Sequence, residues 1–404
     1  MNVPFFFMLF LVLTADGLMV FLTPVIVYQL TGSIGYSGLS YALWWLPRVI
    51  IIPLVGTFID KLGIRPLSIM SDVIKSAGCI FLALTEFSSN LMIAISFGII
   101  GSIISIGNSQ TIITYEKLVS SLSKTKDHHA NLISRMDFLG MIVGPLMGML
   151  LIEYGFKIAL ILPCVFYIMN AIFFSLEKKD LGTSATEIKQ HAAEKNDRGN
   201  GIKDCALYLL STPILIFSVF LAVGNNMFDG LVESSGAALI ERGMNLPVKY
   251  FGLIDVAAGL CGVLGTYCYS YLRPLLGRKA LLLLAIMIIA SSSISLIAFK
   301  ESFIVFIGCY ALSIIGKVFT GNICRMIRIE VINPSMFAST SSLIVLLNQS
   351  VLPIIGLILY IAGDSTQFVY LLMAISIVIS SGAGFLLYKR MMLPEAKPDA
   401  PQAT

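Results

Sequence analysis

Long apolar stretches alternate along the chain with short polar ones. A helix that crosses a bilayer needs roughly 20 mainly apolar residues. On that measure the pattern predicts spans near 5–28, 36–58, 67–86, 91–115, 135–153 and 158–176. After a polar break come spans near 213–238, 249–271, 280–299, 302–323, 337–361 and 367–388. The expected organisation is a six-helix bundle over 1–176, a cytoplasmic linker over 177–212, a second six-helix bundle over 213–388 and a cytoplasmic tail over 389–404. The segment EKKDLGTSATEIKQHAAEKNDRGNGIKD reads as linker, with room for a short surface helix but not for a domain.

Composition agrees with a bilayer as solvent: 57% of the 404 residues are hydrophobic and 12% charged, about half the usual share of charge. The start MNVPFFFMLF has no basic region and no small-residue cleavage site after it, so it is expected to stay as the first span. Lys and Arg set the orientation. With the N-terminus inside, the side opposite the termini holds only Lys157, Arg242, Lys249 and Lys300, and both termini and the linker are cytoplasmic. The net charge of +4 gives no reason to expect nucleic acid. The seven cysteines form no C-x-x-C pair and read as small apolar packing residues. His128 and His129 beside Asp127 lie in a charged loop without a further ligand, so no metal and no cofactor are expected. Nucleotide loops and nucleophile motifs are lacking too, which argues against an enzyme.

The two halves repeat each other. Gly38 of SGLSYALWW and Gly252 of FGLIDVAAG are 214 residues apart, as are Gly63 of LGIRPLSI and Gly277 of LGRKALLL. The DGL at Asp16 recurs at Asp229 with an offset one residue shorter. Such a repeat implies two parallel bundles around a midplane cavity.

Between spans 2 and 3 stands G-x-x-x-D-K-x-G-x-R, made of Gly56, Asp60, Lys61, Gly63 and Arg65. Read alone it is either a basic loop that obeys the positive-inside rule or a tight turn whose charges latch one face. It resembles the signature loop of the major facilitator superfamily. That resemblance implies an all-α membrane protein with 12 transmembrane helices in two six-helix pseudo-repeats. It also implies a latch in which Asp60 and Arg65 hold the outward-open state, with Glu116 as an acidic partner. The second half departs from the pattern, since the position equivalent to Asp60 is Pro274. Span 5 reads GMIVGPLMG, with Gly140, Gly144, Pro145 and Gly148. Glycines four apart suit close helix packing, and the run also resembles the antiporter motif of the superfamily's exporters. Met149 replaces that motif's usual second glycine, and span 4 lacks the R-x-x-Q-G of many proton-coupled drug exporters. The stretch from Asp16 through LTGS to the signature loop is similar to a subgroup that exports siderophores, drugs and antibiotics; an immunity exporter for an antibiotic peptide fits equally.

Charges within spans are costly, by roughly 2.5–3.5 kcal/mol on insertion scales. Asp16 and Arg48 lie 11 and 10 residues from the inner ends of their spans, about 15–17 Å deep. Equal depth predicts a pair, either permanent or one in which Asp16 takes a proton and frees Arg48 for an anionic substrate. Asp229, Glu233 and Asp255 fall in the outer half without a cation at equal depth, as proton carriers or as the lining of a wet vestibule. Asp72 and Lys75, three apart, are expected to neutralise each other, which leaves Lys317 as a candidate substrate contact. Tyr41, Trp44 and Trp45 belong either to the cavity wall or to a lipid-facing belt.

The expected protein is a bacterial inner-membrane transporter of this superfamily that exports a small organic molecule by proton antiport. Its partners are the solute, protons and the lipid bilayer, and it works as a monomer. An importer of the same fold and a non-transporting sensor or assembly protein are the alternatives.

Overall fold

The computed structural model describes residues 3–122, 126–177, 202–333 and 336–392; side chains at 52–61 and at a few positions beside the gaps lie outside the described set. Among the described residues the regular structure is helical. In chain order the helices are α1 (Val3–Thr31), α2 (Ile34–Leu62), α3 (Ile64–Leu84), α4 (Asn90–Leu122), α5 (Lys126–Leu151) and α6 (Ile161–Leu176). They continue with α7 (Ile202–Ser211), α8 (Pro213–Ala238), α9 (Phe251–Ala298), α10 (Phe303–Val331), α11 (Phe337–Ala362) and α12 (Thr366–Met392).

The short helix α7 occupies the end of the predicted linker and is tied down by the Tyr208 hydroxyl, which donates to the Val331 carbonyl at 2.7 Å. Helix α9 is 48 residues long and breaks at Gly277, where φ is 71° and ψ 171°. Its two arms are the eighth and ninth spans. Ten helical segments among the described residues are long and apolar enough to cross a membrane. α9 counts once among these although it crosses twice, and α2 completes the twelve.

The repeat has a backbone basis at its two matched turns. Gly63, at the start of α3, has φ 85°, and its counterpart Gly277 has φ 71°. A side chain with a Cβ is disfavoured in that region, so both halves place glycine where the second span of a bundle turns into the third. Several helices overrun their apolar cores. The apolar pattern ends span 10 at 323, but α10 runs to Val331. Its last turns stay amphipathic, with Ile323 and Ile327 buried one turn apart and Arg325 exposed, so they have a core face to bury after leaving the apolar layer.

In the first half α1 packs on α5, α2 on α4 and α3 on α6; in the second, α8 packs on α12 and α9 on α10. The halves meet mainly through α2 against α11 and α5 against α9. Twelve crossings put Val3 and Met392 on one side, called here the terminal face, with the distal face opposite.

The buried apolar residues are distributed unequally between the faces. Toward the distal face one cluster joins both halves, with Phe21, Tyr28, Ile34 and Trp44 from the first and Phe228, Leu239, Phe251 and Leu359 from the second. Toward the terminal face the clusters formed by the described residues are separate. Phe5, Leu9, Ile64, Tyr115 and Phe174 form one within the first half. Leu215, Leu281, Phe319, Ile344 and Leu387 form the other within the second. Among the described residues the halves are therefore sealed together at the distal face and individually cored at the terminal face.

Candidate functional site

Asp16 is buried within α1 and has its partners on three other helices. Lys75 of α3 pairs with it at 3.0 Å, with the lysine itself wholly buried. The Asn108 amide of α4 donates at 3.0 Å and the Tyr167 hydroxyl of α6 at 2.7 Å. The lysine ammonium also lies 4.7 Å from the centroid of the Tyr167 ring. This corrects the expectation that Asp16 pairs with Arg48. Lys75 is 11 residues from the start of α3, so it matches Asp16 in depth as well as Arg48 does, and the direction in which each side chain leaves its helix decides between them. The expected neutralisation of Lys75 by Asp72 is corrected too: Asp72 accepts from the Asn170 amide at 2.5 Å.

Asp229 on α8 repeats the arrangement with other helices. Lys317 of α10 pairs with it and the Tyr310 hydroxyl donates to it at 3.2 Å. Lys317 also faces the rings of Phe228 and Tyr310, at 4.8 and 5.3 Å. Asp229 thus has its cation, contrary to expectation, and Lys317 is not a free substrate contact. The misplaced end of span 10 hid the pair. Measured from Val331, Lys317 is 14 residues deep, close to the 16 of Asp229 from the start of α8.

The remaining candidates lie toward the interface of the halves. Glu233, one turn beyond Asp229, accepts a 2.7 Å hydrogen bond from Tyr41 of α2, which links the two bundles. Asp255 on α9 keeps one carboxylate oxygen buried and without a hydrogen-bond partner. Arg48 donates to the Ser105 hydroxyl of α4 at 2.9 Å and stacks over the Trp45 ring at 4.7 Å. Asp137 on α5 and Asp16 both act electrostatically on Arg48 from beyond pairing distance. Sequence reasoning missed Asn108, Asp137, Tyr167 and Tyr310. A tyrosine or amide in an apolar span at the depth of a carboxylate was the available signal.

In the signature loop, the side chains of Gly56, Asp60 and Lys61 lie outside the described residues. Gly63 makes the turn described above. Arg65 is exposed and donates to the Ser175 carbonyl at the end of α6. Among the described residues it forms no ion pair with Glu116, so the partner implied by resemblance is replaced in this conformation by a backbone acceptor. The glycines of α5 are explained by packing on α1. A Cβ on Gly140 would stand 2.6 Å from the Leu13 carbonyl carbon, and one on Gly144 2.6 Å from that of Gly17. On Gly148 it would run into the Phe21 ring. Pro145 sits inside the helix among them. Met149, where the motif has glycine, lies against Gly252 of the other half.

The distal face is closed by polar contacts between the halves. The Asp364 carboxylate accepts from the Ile34 backbone N–H at 2.7 Å, capping the start of α2 from across the interface. Arg242 donates to the Gly32 carbonyl and, at 3.1 Å, to that of Asp364. Lys249 pairs with Glu153, and the Ser37 hydroxyl donates to the Ser234 carbonyl at 2.7 Å. Gly38 and Gly356 bring α2 and α11 into backbone contact. The whole is a pair of bundles with ion-paired carboxylates in their interiors, a further set of ionisable groups between them and a clasp at one end.

A family model described as Major Facilitator Superfamily matches residues 4–352. No curated protein matches the chain by sequence. Among solved structures, the chain is similar to nucleoside transporter NupG, with TM-score 0.73 and 13% identity over 95% of this chain and 99% of that one. It is similar to a bacterial homologue of the iron transporter ferroportin in an inward-facing state, with TM-score 0.70 and 16% identity over 97% and 100%. A D-xylose–proton symporter matches with TM-score 0.68 and 15% identity over 97% and 98%.

Proposed function

From the premise that the chain belongs to the major facilitator superfamily and transports a small solute, we propose that it exports a small organic molecule across the bacterial inner membrane by proton antiport. The compound class is that of antibiotics, antibiotic peptides, siderophores and drugs. The termini and the linker are cytoplasmic on this reading, because the positive-inside rule places the basic segments there.

The observation that carries the mechanism is the unequal burial of apolar side chains. One cluster seals both halves at the distal face, while each half keeps its own core at the terminal face. Interfaces packed in this way are bistable rather than continuously deformable, so the complementary state closes the terminal face and breaks the clasp of Asp364, Arg242 and Lys249. An exporter loads from the cytoplasm in the conformation described here. Arg65 donates to the Ser175 carbonyl in this conformation, and on this reading the signature loop acts as the latch of the terminal face.

The preference for export rests on the α5 glycine–proline run, and its close packing on α1 is the physical role that run plays. Asp16, Asp229, Glu233 and Asp255 are the candidates for carrying the proton. For Asp16 and Asp229, protonation would release a lysine; for Glu233 it would weaken the Tyr41 bond between the halves. A deletion strain should accumulate the compound that the protein removes, and adding that compound to inside-out vesicles should discharge an imposed pH gradient. Starvation of the deletion strain for a solute, with no accumulation of any, would reverse the direction.

A further inference from the structure

Among the described residues three cations lie deep within the apolar layer, and two of them are neutralised in place: Lys75 by Asp16 and Lys317 by Asp229. Arg48 is different. Among the described residues no carboxylate lies within 4 Å of it, and its one protein hydrogen bond runs from Nη1 to the Ser105 hydroxyl. Its Nε is buried without a partner. The guanidinium is stacked over the Trp45 ring at 4.7 Å. A charged N–H donor shielded from water and lacking an acceptor is costly to maintain.

The free edge of Arg48 has a definite shape. With Nη1 donating to Ser105, Nε–H and the Nη2–H beside it lie in the guanidinium plane and run parallel along its other edge. That edge matches the two oxygens of a carboxylate. Asp16 cannot supply them, because Lys75, Asn108 and Tyr167 hold it on its own side. Asp137 and Glu233 contribute field but not contact. We propose that Arg48, Trp45 and Ser105 form an anion subsite, and that the transported solute carries a carboxylate or an equally planar acidic oxygen pair that binds the unpaired edge of Arg48 beside the Trp45 ring when the halves part. The proposal rests on the transport reading above and names the class of solute.

Trp44 and Trp45 are the only tryptophans in the chain, so Trp44→Phe leaves one reporter inside the subsite. The test titrates purified full-length Trp44→Phe protein with benzoate, benzamide and benzylamine at constant ionic strength and follows Trp45 emission. Benzoate should give a saturable change, at least tenfold tighter than that given by the amide or the amine. Arg48→Gln should weaken benzoate at least tenfold. Arg48→Lys, which keeps the charge but not the two-point edge, should fall between. Equal responses to the three probes, no saturable response to benzoate, or undiminished binding by Arg48→Gln would each overturn the proposal. If benzoate binds as expected but no organic anion moves under a pH gradient in proteoliposomes, the antiport reading fails and the subsite stands. Each variant must elute as the parent does on size exclusion, so that a weakened response does not reflect loss of folded protein.

Discussion

The contact of Gly38 with Gly356 offers a direct handle on the conformational equilibrium. These residues sit where α2 and α11 cross near the distal face. A Cβ on Gly356 would lie 2.7 Å from the Ala42 backbone nitrogen, and one on Gly38 2.7 Å from the Gly356 carbonyl oxygen. The Gly38 carbonyl oxygen is nearer still; ordinary contact begins at ~3.5 Å, so Gly356→Ala requires the two helices to part by at least about 0.8 Å. Overpacking a well-fitted contact costs about 1–3 kcal/mol. The cost falls on the distal-closed state and is relieved where α2 and α11 separate. At 1.4 kcal/mol per tenfold, the ratio of distal-closed to distal-open molecules should drop about 5- to 140-fold. The assay is double electron–electron resonance in nanodiscs, with spin labels at Glu86→Cys and Lys300→Cys on a background lacking the seven native cysteines. Both sites are exposed in distal loops, one in each half. Gly308→Ala is the control, because a Cβ there meets nothing within 4 Å. Gly356→Ala should move population to longer distances and the control should not. An unchanged distribution in a folded Gly356→Ala protein would refute the reasoning, as would an equal shift in the control.

Other outcomes follow from the same geometry. Asp16→Asn leaves Lys75 buried without its counter-charge, a loss commonly worth about 3–5 kcal/mol in water-soluble proteins, and should lower the melting temperature clearly in detergent. The double variant Asp16→Asn with Lys75→Gln should recover most of that loss, whereas Asp16→Asn with Arg48→Gln should not; recovery by the second would restore the Asp16–Arg48 pair. Arg242→Gln should raise the reactivity of a cysteine placed at Ser37 toward a membrane-impermeant maleimide, and unchanged labelling would remove Arg242 from the clasp. Gly144→Leu forces α5 off α1 and should abolish transport with poor folding yield, while Asp60→Asn and Arg65→Ala should insert normally and transport slowly. Normal flux from both latch variants would reduce the loop to a topology signal.

Much of the architecture was legible in the apolar pattern, because a bilayer imposes span length and the matched glycines at 63 and 277 impose the turns. Lys75 shows where legibility ended. Depth is one coordinate, and Arg48 and Lys75 share it; choosing between them needs the rotation of α2 and α3 about their axes, which tertiary packing sets. The pair Asp229–Lys317 was hidden by a boundary, since the apolar run of α10 stops before its helix does. The contacts of Asp364 with Ile34, of Tyr41 with Glu233 and of Met149 with Gly252 join residues far apart in sequence, and nothing in either local segment announces them. The signature loop reads in the opposite way: its spacing is plain in the sequence, while the side chains of Asp60 and Lys61 lie outside the described residues.

The separate cores at the terminal face also bear on how the chain is made. Phe5, Leu9, Tyr115 and Phe174 reach one another without any residue beyond Phe174, so the first bundle can collapse before the second has been synthesised. The second bundle has its own nucleus in Leu215, Leu281, Phe319 and Leu387. The shared distal cluster cannot form until both exist, which makes docking of the halves the last event of biogenesis. Ribosome-arrested chains ending after the linker should already resist protease through their first six spans. Two halves expressed as separate polypeptides should find each other in the membrane, because the seam between them is a surface each bundle completes on its own.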